Sequence, residues 1–160
     1  MLSYELDIFK AYHKNWALLT AGSPDDFNTM TISWGGLGTF WNKSVATVYV
    51  RPNRHTFSYM EKNEYFTVSF FDDSYRKDLT VLGTLSGRDT NKIAQTALTP
   101  IRAGGSMTFQ QASVTLICKK MLAQDFDLDQ IPEQIMQSMY AIDPVHRMYM
   151  GEVIEILRNK

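Results

Sequence analysis

The residues with the clearest chemical potential lie in the hexapeptide RPNRHT, residues 51–56. It collects two guanidinium groups, an imidazole and a hydroxyl group where a short helix is predicted to begin. The first N–H groups of a helix are unpaired and lie at the positive end of its dipole, and arginine adds planar bidentate donors. This combination is typical of anion binding, and it predicts a phosphate monoester as the ligand.

A second candidate region precedes it, in the stretch NTMTISWGGLG from residue 28 to residue 38. The polar residues Thr29, Thr31 and Ser33 alternate with Met30, Ile32 and Trp34, which is the two-residue period of an extended strand. Gly35, Gly36 and Gly38 follow, and glycine allows close backbone approach or a positive φ. We therefore expect backbone N–H groups of this glycine segment to face a ligand.

A third candidate is the polar loop SGRD, residues 86–89, together with a lysine shortly after it. Asp89 or Thr90 can cap a second short helix that contains Lys92. A lysine in the first turn of a helix is electrostatically unfavourable unless an anion lies there. Lys92 therefore indicates a second phosphate contact.

Each of these regions also has an ordinary structural interpretation. Alternation of Thr and Ser with Met, Ile and Trp is found in any half-buried strand, RPNRHT is compatible with a turn carrying solvated arginines, and Lys92 with a surface lysine. Short motifs also match often by chance. Taken singly, the residues favour the ordinary interpretation.

Composition limits the classes of function. The 160 residues, 44% of them hydrophobic, predict one globular domain over residues 1–160. A formal net charge of −1 gives no electrostatic argument for nucleic acid, and the three scattered histidines and the single Cys118 show no metal-ligand spacing. No apolar run is long enough to cross a membrane, and no secretion signal precedes the first strand, so we expect a cytoplasmic protein. Ser/His/Asp, GxGxxG and P-loop patterns do not occur, which leaves small-molecule binding.

The sequence predicts mainly β-strands. Strands are predicted at 16–20, 28–34, 45–50, 65–71, 106–126 and 147–157, with a bulge or bend near Lys119 and Lys120 in the long strand. A short helix or an irregular lead-in is predicted in the first 13 residues, and short helices are predicted after Thr56, at 74–82, after Asp89 and at 129–140. Residues 99–100 and 103–105 are predicted as loop. The helix after Thr56 should end at Asn63.

Five separated motifs in one order resemble the flavin reductase-like, FMN-binding split-barrel family, and within it the flavoredoxin-type branch. They are NTMTISWGG, VYVRPNRHT, YFTVSFF, SGRD with a following lysine, and HRMYMGEV. The resemblance covers most of the chain and implies a mainly β, antiparallel split β-barrel with a few short peripheral helices. It also implies noncovalently bound FMN.

The resemblance assigns residues to parts of the cofactor. For the ring and ribityl chain it implies Asn28, Met30, Thr31, Ser33, Trp34 and Gly35. For the phosphate it implies Arg51, Arg54 and Thr56, with Ser86, Arg88 and Lys92 as further contacts. Backbone N–H groups of the glycine segment would then stabilise the reduced flavin anion.

His146 is the candidate for a residue near the flavin, because family members carry a histidine in the segment equivalent to HRMYMGEV. No catalytic residue is assigned beyond it. Some relatives place a histidine just beyond the long strand, where this chain has Phe126 followed by Asp-Leu-Asp. Contacts at that position therefore differ from the family pattern.

Three functions stay open at this stage. The first is a flavin reductase that takes electrons from NADH or NADPH, and the second is a flavoredoxin-like carrier that exchanges electrons with a partner protein. The third is a split-barrel protein that binds another ligand, such as haem, without catalysis. For an FMN-binding protein the resemblance also implies a homodimer, because related proteins complete the cofactor site across the subunit interface. The Met-rich stripe at 131–139 and the aromatic strand faces would supply apolar interface area.

Overall fold

The computed structural model describes residues 5–159, which form a mainly β fold. Its strands are β1 (Ala17–Ser23), β2 (Asp26–Ile32), β3 (Gly35–Phe40), β4 (Lys43–Val50), β5 (Tyr65–Phe70), β6 (Pro100–Ala103), β7 (Ser106–Phe109), β8 (Val114–Asp125) and β9 (Arg147–Arg158). Its α-helices are α1 (Ile8–Lys10, continued by a π-helical turn at Ala11–Asn15), α2 (His55–Lys62), α3 (Arg76–Thr84) and α4 (Glu133–Met139). Short 3₁₀ turns lie at Asp73–Tyr75, Ile93–Gln95 and Leu128–Gln130.

Seven strands form one antiparallel sheet in the order β2-β1-β5-β8-β9-β4-β3, and β6 pairs with β7 in a separate hairpin. In a flat sheet of this size the edge strands would lie about 29 Å apart, at a strand spacing of about 4.8 Å. The edge strands are nevertheless consecutive in the chain, because β2 ends at Ile32 and β3 begins at Gly35. Three Cα–Cα steps span about 11 Å at most. The sheet must therefore curl into the predicted antiparallel split β-barrel, whose unpaired edges meet at Ser33 and Trp34, a place that we call the seam.

The core has two parts, on the two faces of β1. Successive strand residues point to opposite faces, and Leu18 and Leu19 accordingly belong to different apolar clusters. Leu19 packs inside the barrel with Phe66 and Tyr149. Leu18 packs outside it against α3 and Phe109 of β7. Both faces of β1 are covered, which explains why its sequence is apolar without alternation.

Several predicted elements are confirmed. β5 and β9 lie where the apolar patterns placed them. The helix predicted after Thr56 is α2, which begins slightly earlier, at His55, and ends with Asn63 as its C-terminal cap. In β8 the register shifts between Ile117 and Cys118 and again between Lys120 and Leu122, at the predicted bend. Pro132 precedes α4 as its N-terminal cap.

Five local predictions are wrong. The strand predicted at 106–126 is two strands, β7 and β8, separated by residues 110–113. The glycine segment after β2 is not a ligand-facing loop, because Gly35 and Gly36 lie in β3 and pair with Val48 and Thr47. Residues 99–105 contribute β6 and the turn to β7 instead of a plain loop. The helix predicted from residue 74 begins at Arg76 and continues through Gly83, and the helix predicted after Asp89 is reduced to the 3₁₀ turn at 93–95.

Two further predictions concern the ends of the chain. The predicted first helix corresponds to α1 and its π-helical turn, and the first four residues of that prediction lie outside the described residues. A single domain over residues 1–160 stays a prediction. Among the helices of residues 5–159, none is long and apolar enough to cross a membrane.

Candidate functional site

Two adjoining cavities lie beside the seam. The first, of about 370 Å³, is called the seam cavity and is lined by Met30, Thr31, Ile32, Ser33, Trp34, Tyr49, Arg51, Asn53, Arg54, Asp143 and His146. The second, of about 230 Å³, is called the cationic cavity and is lined by Asn28, Met30, Asn53, Arg54, His55, Thr56, Gly83, Thr84, Leu85, Ser86 and Lys92. Because Met30, Asn53 and Arg54 line both, one elongated ligand could occupy them together.

The cationic cavity is built on the N-terminus of α2. Arg54 is the N-terminal cap residue with extended backbone, and its side chain makes no capping hydrogen bond. The unpaired N–H groups of the first turn are therefore left for another acceptor. Thr56 is almost fully buried in this turn, and its hydroxyl accepts a 2.8 Å hydrogen bond from Asn28 Nδ2. This bond ties the polar end of β2 to the helix start.

Lys92 brings a buried ammonium group to the same cavity. Its Nζ donates to the carbonyl oxygens of Leu82, at 2.8 Å, and Leu85, at 3.1 Å, at the C-terminal end of α3. An ammonium has three donors, so one N–H remains for a ligand. Burial, with a further contribution from Arg54, lowers the pKa of Lys92 to about 8. The helix-dipole argument for Lys92 is wrong, since no α-helix begins there, but the lysine does line the cavity.

Arg54 is the second cation of this cavity. Its guanidinium donates a 3.1 Å hydrogen bond to the carbonyl oxygen of Gly83. Burial, together with the charge of Arg51, lowers the pKa of Arg54. In the part of the chain that the structure describes, neither Arg54 nor Lys92 forms an ion pair with a carboxylate. Arg54 is half-buried and Lys92 is buried. Because these charges have no counter-ion among the described residues, the cavity favours an anionic ligand.

The loop after α3 closes the cationic cavity. A Cβ on Gly87 would lie 2.3 Å from Asn28 Oδ1 and 3.1 Å from His55 Cδ2, so only glycine permits this approach. His55 Nδ1 is buried and has no hydrogen-bond partner among residues 5–159. An oxygen-rich anion would supply acceptors for such unused donors. The cavity therefore fits a phosphate group.

The seam cavity has a mixed lining, in which the apolar and aromatic side chains of Met30, Ile32, Trp34 and Tyr49 lie among polar and charged ones. Met30 is buried, whereas Trp34 is 41% exposed and its ring centroid lies 5.1 Å from that of His146. The Thr31 hydroxyl donates to the carbonyl oxygen of Leu79 in α3. Aromatic side chains beside fixed polar groups suit a planar ligand that carries hydrogen-bonding atoms at its edge.

The segment after α4 covers one side of the seam cavity, and Arg51 holds it there. The Arg51 guanidinium forms an ion pair with Asp143 and donates a 3.2 Å hydrogen bond to the carbonyl oxygen of Met139. It also lies 5.8 Å from the centre of the Tyr140 ring. Arg51 therefore lines the seam cavity, where its guanidinium is bound to this segment. Unlike Arg54, it does not line the cationic cavity.

Comparison with known proteins decides the family. The model of the flavin reductase like domain matches residues 9–160. The chain belongs to this family. No curated protein matches the chain.

Solved structures share the fold of this flavin reductase-like chain. They include flavoredoxin of Desulfovibrio vulgaris (Miyazaki F), with a TM-score of 0.73 and 18% identity over 94% of this chain and 72% of that one. The FMN-binding protein from Thermus thermophilus with bound p-hydroxybenzaldehyde has a TM-score of 0.72 and 18% identity over 100% and 83% of the two chains. The NADH:FAD oxidoreductase of Streptomyces globisporus, in complex with NAD and FAD fragments, has a TM-score of 0.68 and 14% identity over 91% and 74%. At these identities the likeness establishes the fold.

The structure brings most of the predicted site residues of this flavin reductase-like chain together. Those at the cationic cavity are Asn28, Met30, Arg54, Thr56, Ser86 and Lys92, and those at the seam cavity are Met30, Thr31, Ser33, Trp34, Arg51, Arg54 and His146. Two predicted residues line neither cavity. Arg88 instead donates a 3.1 Å hydrogen bond to the carbonyl oxygen of Asn53, and a Cβ on Gly35 would lie 2.5 Å from the Tyr12 ring.

Some lining residues were not predicted from the sequence. Tyr49 lies on β4, and its alternation with Val48 and Val50 could have marked it as facing away from the core. Asn53 lies inside RPNRHT, between the two arginines that were chosen. Asp143 offers no local signal, because only its ion pair with Arg51 brings it to the cavity.

A larger groove of about 1120 Å³ continues outward from the seam cavity and is called the outer groove. It shares Ser33, Trp34, Tyr49 and His146 with the seam cavity. Its other walls include Tyr12, whose hydroxyl is buried without a hydrogen-bond partner within residues 5–159. The same range contains no cluster of three or more His, Cys, Asp or Glu residues suited to a metal ion.

Proposed function

We propose that this chain binds FMN noncovalently and acts as an oxidoreductase of the flavin reductase type, moving electrons from NADH, NADPH or a redox partner. One observation carries the proposal. Among the described residues, a cavity with two cations that lack carboxylate partners adjoins a cavity that contains the aromatic side chains of Trp34 and Tyr49, in a chain of the flavin reductase family. This order of cationic and aromatic side chains matches a molecule with a phosphate at one end and a planar ring at the other.

The chain's own residues would hold the two ends of FMN differently. Arg54 and Lys92 would neutralise the phosphate, while Thr56 and the first N–H groups of α2 donate hydrogen bonds to it. Asn28 and Ser86, which line the same cavity, add polar contacts. Arg88 would act indirectly, because its hydrogen bond fixes the backbone at Asn53.

At the other end, side chains of the seam cavity would orient the ring. Met30 supplies a buried apolar surface, and Trp34 stands at the opening toward the outer groove. Thr31 and Ser33 add polar atoms along the end of β2. FMN supplies the redox chemistry when it is bound. A reactant in the outer groove would lie beside the ring, because the outer groove and the seam cavity share Ser33, Trp34, Tyr49 and His146 as lining residues.

The choice of FMN over FAD rests on the single cationic cavity of about 230 Å³. A dinucleotide would need positions for a second phosphate and an adenosine, whereas Arg54 and Lys92 converge on this one cavity. The protein should be purified as expressed, and the released cofactor identified by mass spectrometry. Intact FAD as the main species would contradict this choice.

Anaerobic mixing tests the enzymatic function. FMN-loaded protein is combined with NADH or NADPH in the absence of oxygen, and loss of the oxidised flavin absorption is followed by stopped flow. Rapid bleaching supports a flavin reductase. Bleaching only by a reduced partner protein supports a flavoredoxin-like carrier, and a colourless or Soret-absorbing preparation supports a ligand-binding protein without flavin chemistry.

We also propose that the protein is a homodimer. Within the described residues, exposed apolar side chains occur on the β3–β4 hairpin, where Leu37, Phe40 and Trp41 are 38%, 42% and 57% exposed. In the 131–139 stripe, Ile135 and Met139 are each 43% exposed, and α4 buries no residue. Such clusters are typical of protein interfaces. Light scattering of the FMN-loaded protein tests this, and a monomeric mass would contradict it.

A further inference from the structure

The segment that leads from α4 into β9 carries a tyrosine–histidine pair beside the seam cavity. The Tyr140 hydroxyl lies 3.0 Å from His146 Nδ1, within hydrogen-bonding distance. The tyrosine is itself held in place, because Arg51 lies 5.8 Å from its ring centre and binds the neighbouring Met139 carbonyl and the Asp143 carboxylate. The pair is therefore part of an anchored unit.

The protonation of His146 decides what this pair can do. The pKa of His146 is lowered to about 4, mainly by burial. The positive charges of Arg51 and Arg54 lower it further, and the carboxylate of Asp143 opposes the shift. The imidazole is then neutral near pH 7, with one ring nitrogen as donor and the other as acceptor. Two arrangements are possible, in which the tyrosine either donates to Nδ1 or accepts from it.

Elementary acid–base chemistry favours the tyrosine as donor. A phenol is a stronger acid than a neutral imidazole N–H, and the bare imidazole nitrogen is a stronger base than a phenol oxygen. With Nδ1 accepting, the ring proton resides on Nε2, the nitrogen on the opposite side of the imidazole.

We propose that Tyr140 is a positioning residue that fixes His146 as the neutral Nε2–H form, so that His146 offers a hydrogen-bond donor to a carbonyl or anionic oxygen in the seam cavity. This inference rests on the proposed function for the identity of the bound molecule, whereas the tyrosine–histidine geometry stands without it. Trp34 packs against the imidazole at 5.1 Å and limits its rotation. The donor is thus held from two sides.

This arrangement assigns His146 a role other than proton transfer near neutral pH. A donor that keeps one proton stabilises developing negative charge on an oxygen without changing its own protonation. The charged groups around it are Arg51, Arg54 and Asp143 at the seam cavity and Asp7, Lys10, His13 and Lys14 along the outer groove. We expect the His146 ring to stay neutral between pH 6 and pH 8, because its pKa is lowered to about 4.

Nitrogen-15 NMR of the histidine side chains tests the proposal on the full chain without added flavin. A His146→Gln variant assigns the resonances. The expected result is a protonated Nε2 and an unprotonated Nδ1, with Nδ1 shifted by the accepted hydrogen bond and no change across that pH range. A protonated Nδ1 in the wild type overturns the proposal.

Tyr140→Phe then removes the donor while keeping the ring beside Arg51. The Nδ1 resonance should lose the shift caused by the hydrogen bond, and the other tautomer should gain population. Tyr65→Phe is the matched control, since Tyr65 lies on β5 and carries its own nearby cation, Lys119. An unchanged His146 spectrum in Tyr140→Phe overturns the proposal, and the wild-type spectrum decides it alone if the variant does not fold.

Kinetics connect the pair to the proposed function. In FMN-loaded Tyr140→Phe we expect kcat with NADH or NADPH to fall about tenfold at nearly constant KM, because a displaced donor weakens transition-state contacts more than substrate binding. An unchanged kcat in an active enzyme overturns the catalytic part of the proposal. If the wild type does not oxidise either nucleotide, the proposed reductase activity fails, while the NMR result still decides the role of Tyr140.

Discussion

Replacing Arg54 with alanine tests the cationic cavity most directly. Arg54 lines both cavities, lies half-buried and has no carboxylate partner within the described residues. Its hydrogen bond to a bound phosphate would be charge-assisted, which is worth about 1.5 to 3 kcal/mol. We expect the dissociation constant for FMN to rise by about 10- to 150-fold, since 1.4 kcal/mol corresponds to a factor of ten.

Two features of the structure adjust this magnitude. Arg54 contributes to the lowered pKa of Lys92, so its removal leaves Lys92 more fully charged and offsets part of the loss. The variant also loses the 3.1 Å hydrogen bond to Gly83, worth about 1 kcal/mol of folding stability. For a domain of this size that loss lowers Tm by about 2–4 °C. The variant should therefore fold and bind weakly.

The assay is a titration of FMN fluorescence against protein, with thermal unfolding followed by circular dichroism. Arg102→Ala is the matched control, because Arg102 is an exposed arginine on β6 that lines neither cavity. It should leave the FMN affinity unchanged. If Arg54→Ala binds FMN as tightly as the control does, the phosphate lies elsewhere and the argument from uncompensated charge is refuted.

Three further predictions use the same titration or its fluorescence. Gly87→Ala should weaken FMN binding, because its Cβ would lie 2.3 Å from Asn28 Oδ1. Gly36→Ala is the control and should not weaken it, because its Cβ would meet nothing within 4 Å. Equal FMN affinities of the two variants would contradict the close approach of the loop at Gly87. FMN affinity should fall as the pH rises through about 8, where the Lys92 ammonium loses its proton, and Lys92→Met should bind weakly at every pH; a flat wild-type profile would contradict this. Trp34→Phe should remove most of the tryptophan quenching seen on adding FMN, and equal quenching in the variant and the wild type would exclude Trp34 from the ring's surroundings.

The sequence predicts best those strands whose pattern of apolar residues results from packing against the barrel core. β5 and β9 have dense or alternating apolar residues because they pack into the barrel core. β6 and its pairing with β7 were missed because the proline of β6 and the two glycines that follow it are typical of loops. The strand conformation of this hairpin depends on distant contacts, among them the buried hydrogen bonds of Thr108 with Ser69 and Thr115.

The site was predictable where the local sequence carries its own chemistry. Arg54 and Thr56 occupy the start of a helix that the sequence places there, and the structure puts both in the cationic cavity. The environment of Lys92 was not predictable, since its ammonium reaches carbonyl oxygens at the end of α3. The ion pair of Arg51 with Asp143 joins positions far apart in the chain, and no short window of sequence contains it.

The seam also governs how the sheet opens. β2 and β3 each have one hydrogen-bonded neighbour, so one row of N–H and C=O groups on each strand is unpaired with the sheet. Amide hydrogens at such edges exchange through small local openings, whereas those of β5 and β8, in the middle of the sheet, require larger ones. A molecule in the seam cavity would slow exchange at the end of β2 while leaving β5 and β8 unaffected. Loss of such a molecule would leave this edge open to a strand of another chain, so we expect the protein without ligand to aggregate more readily.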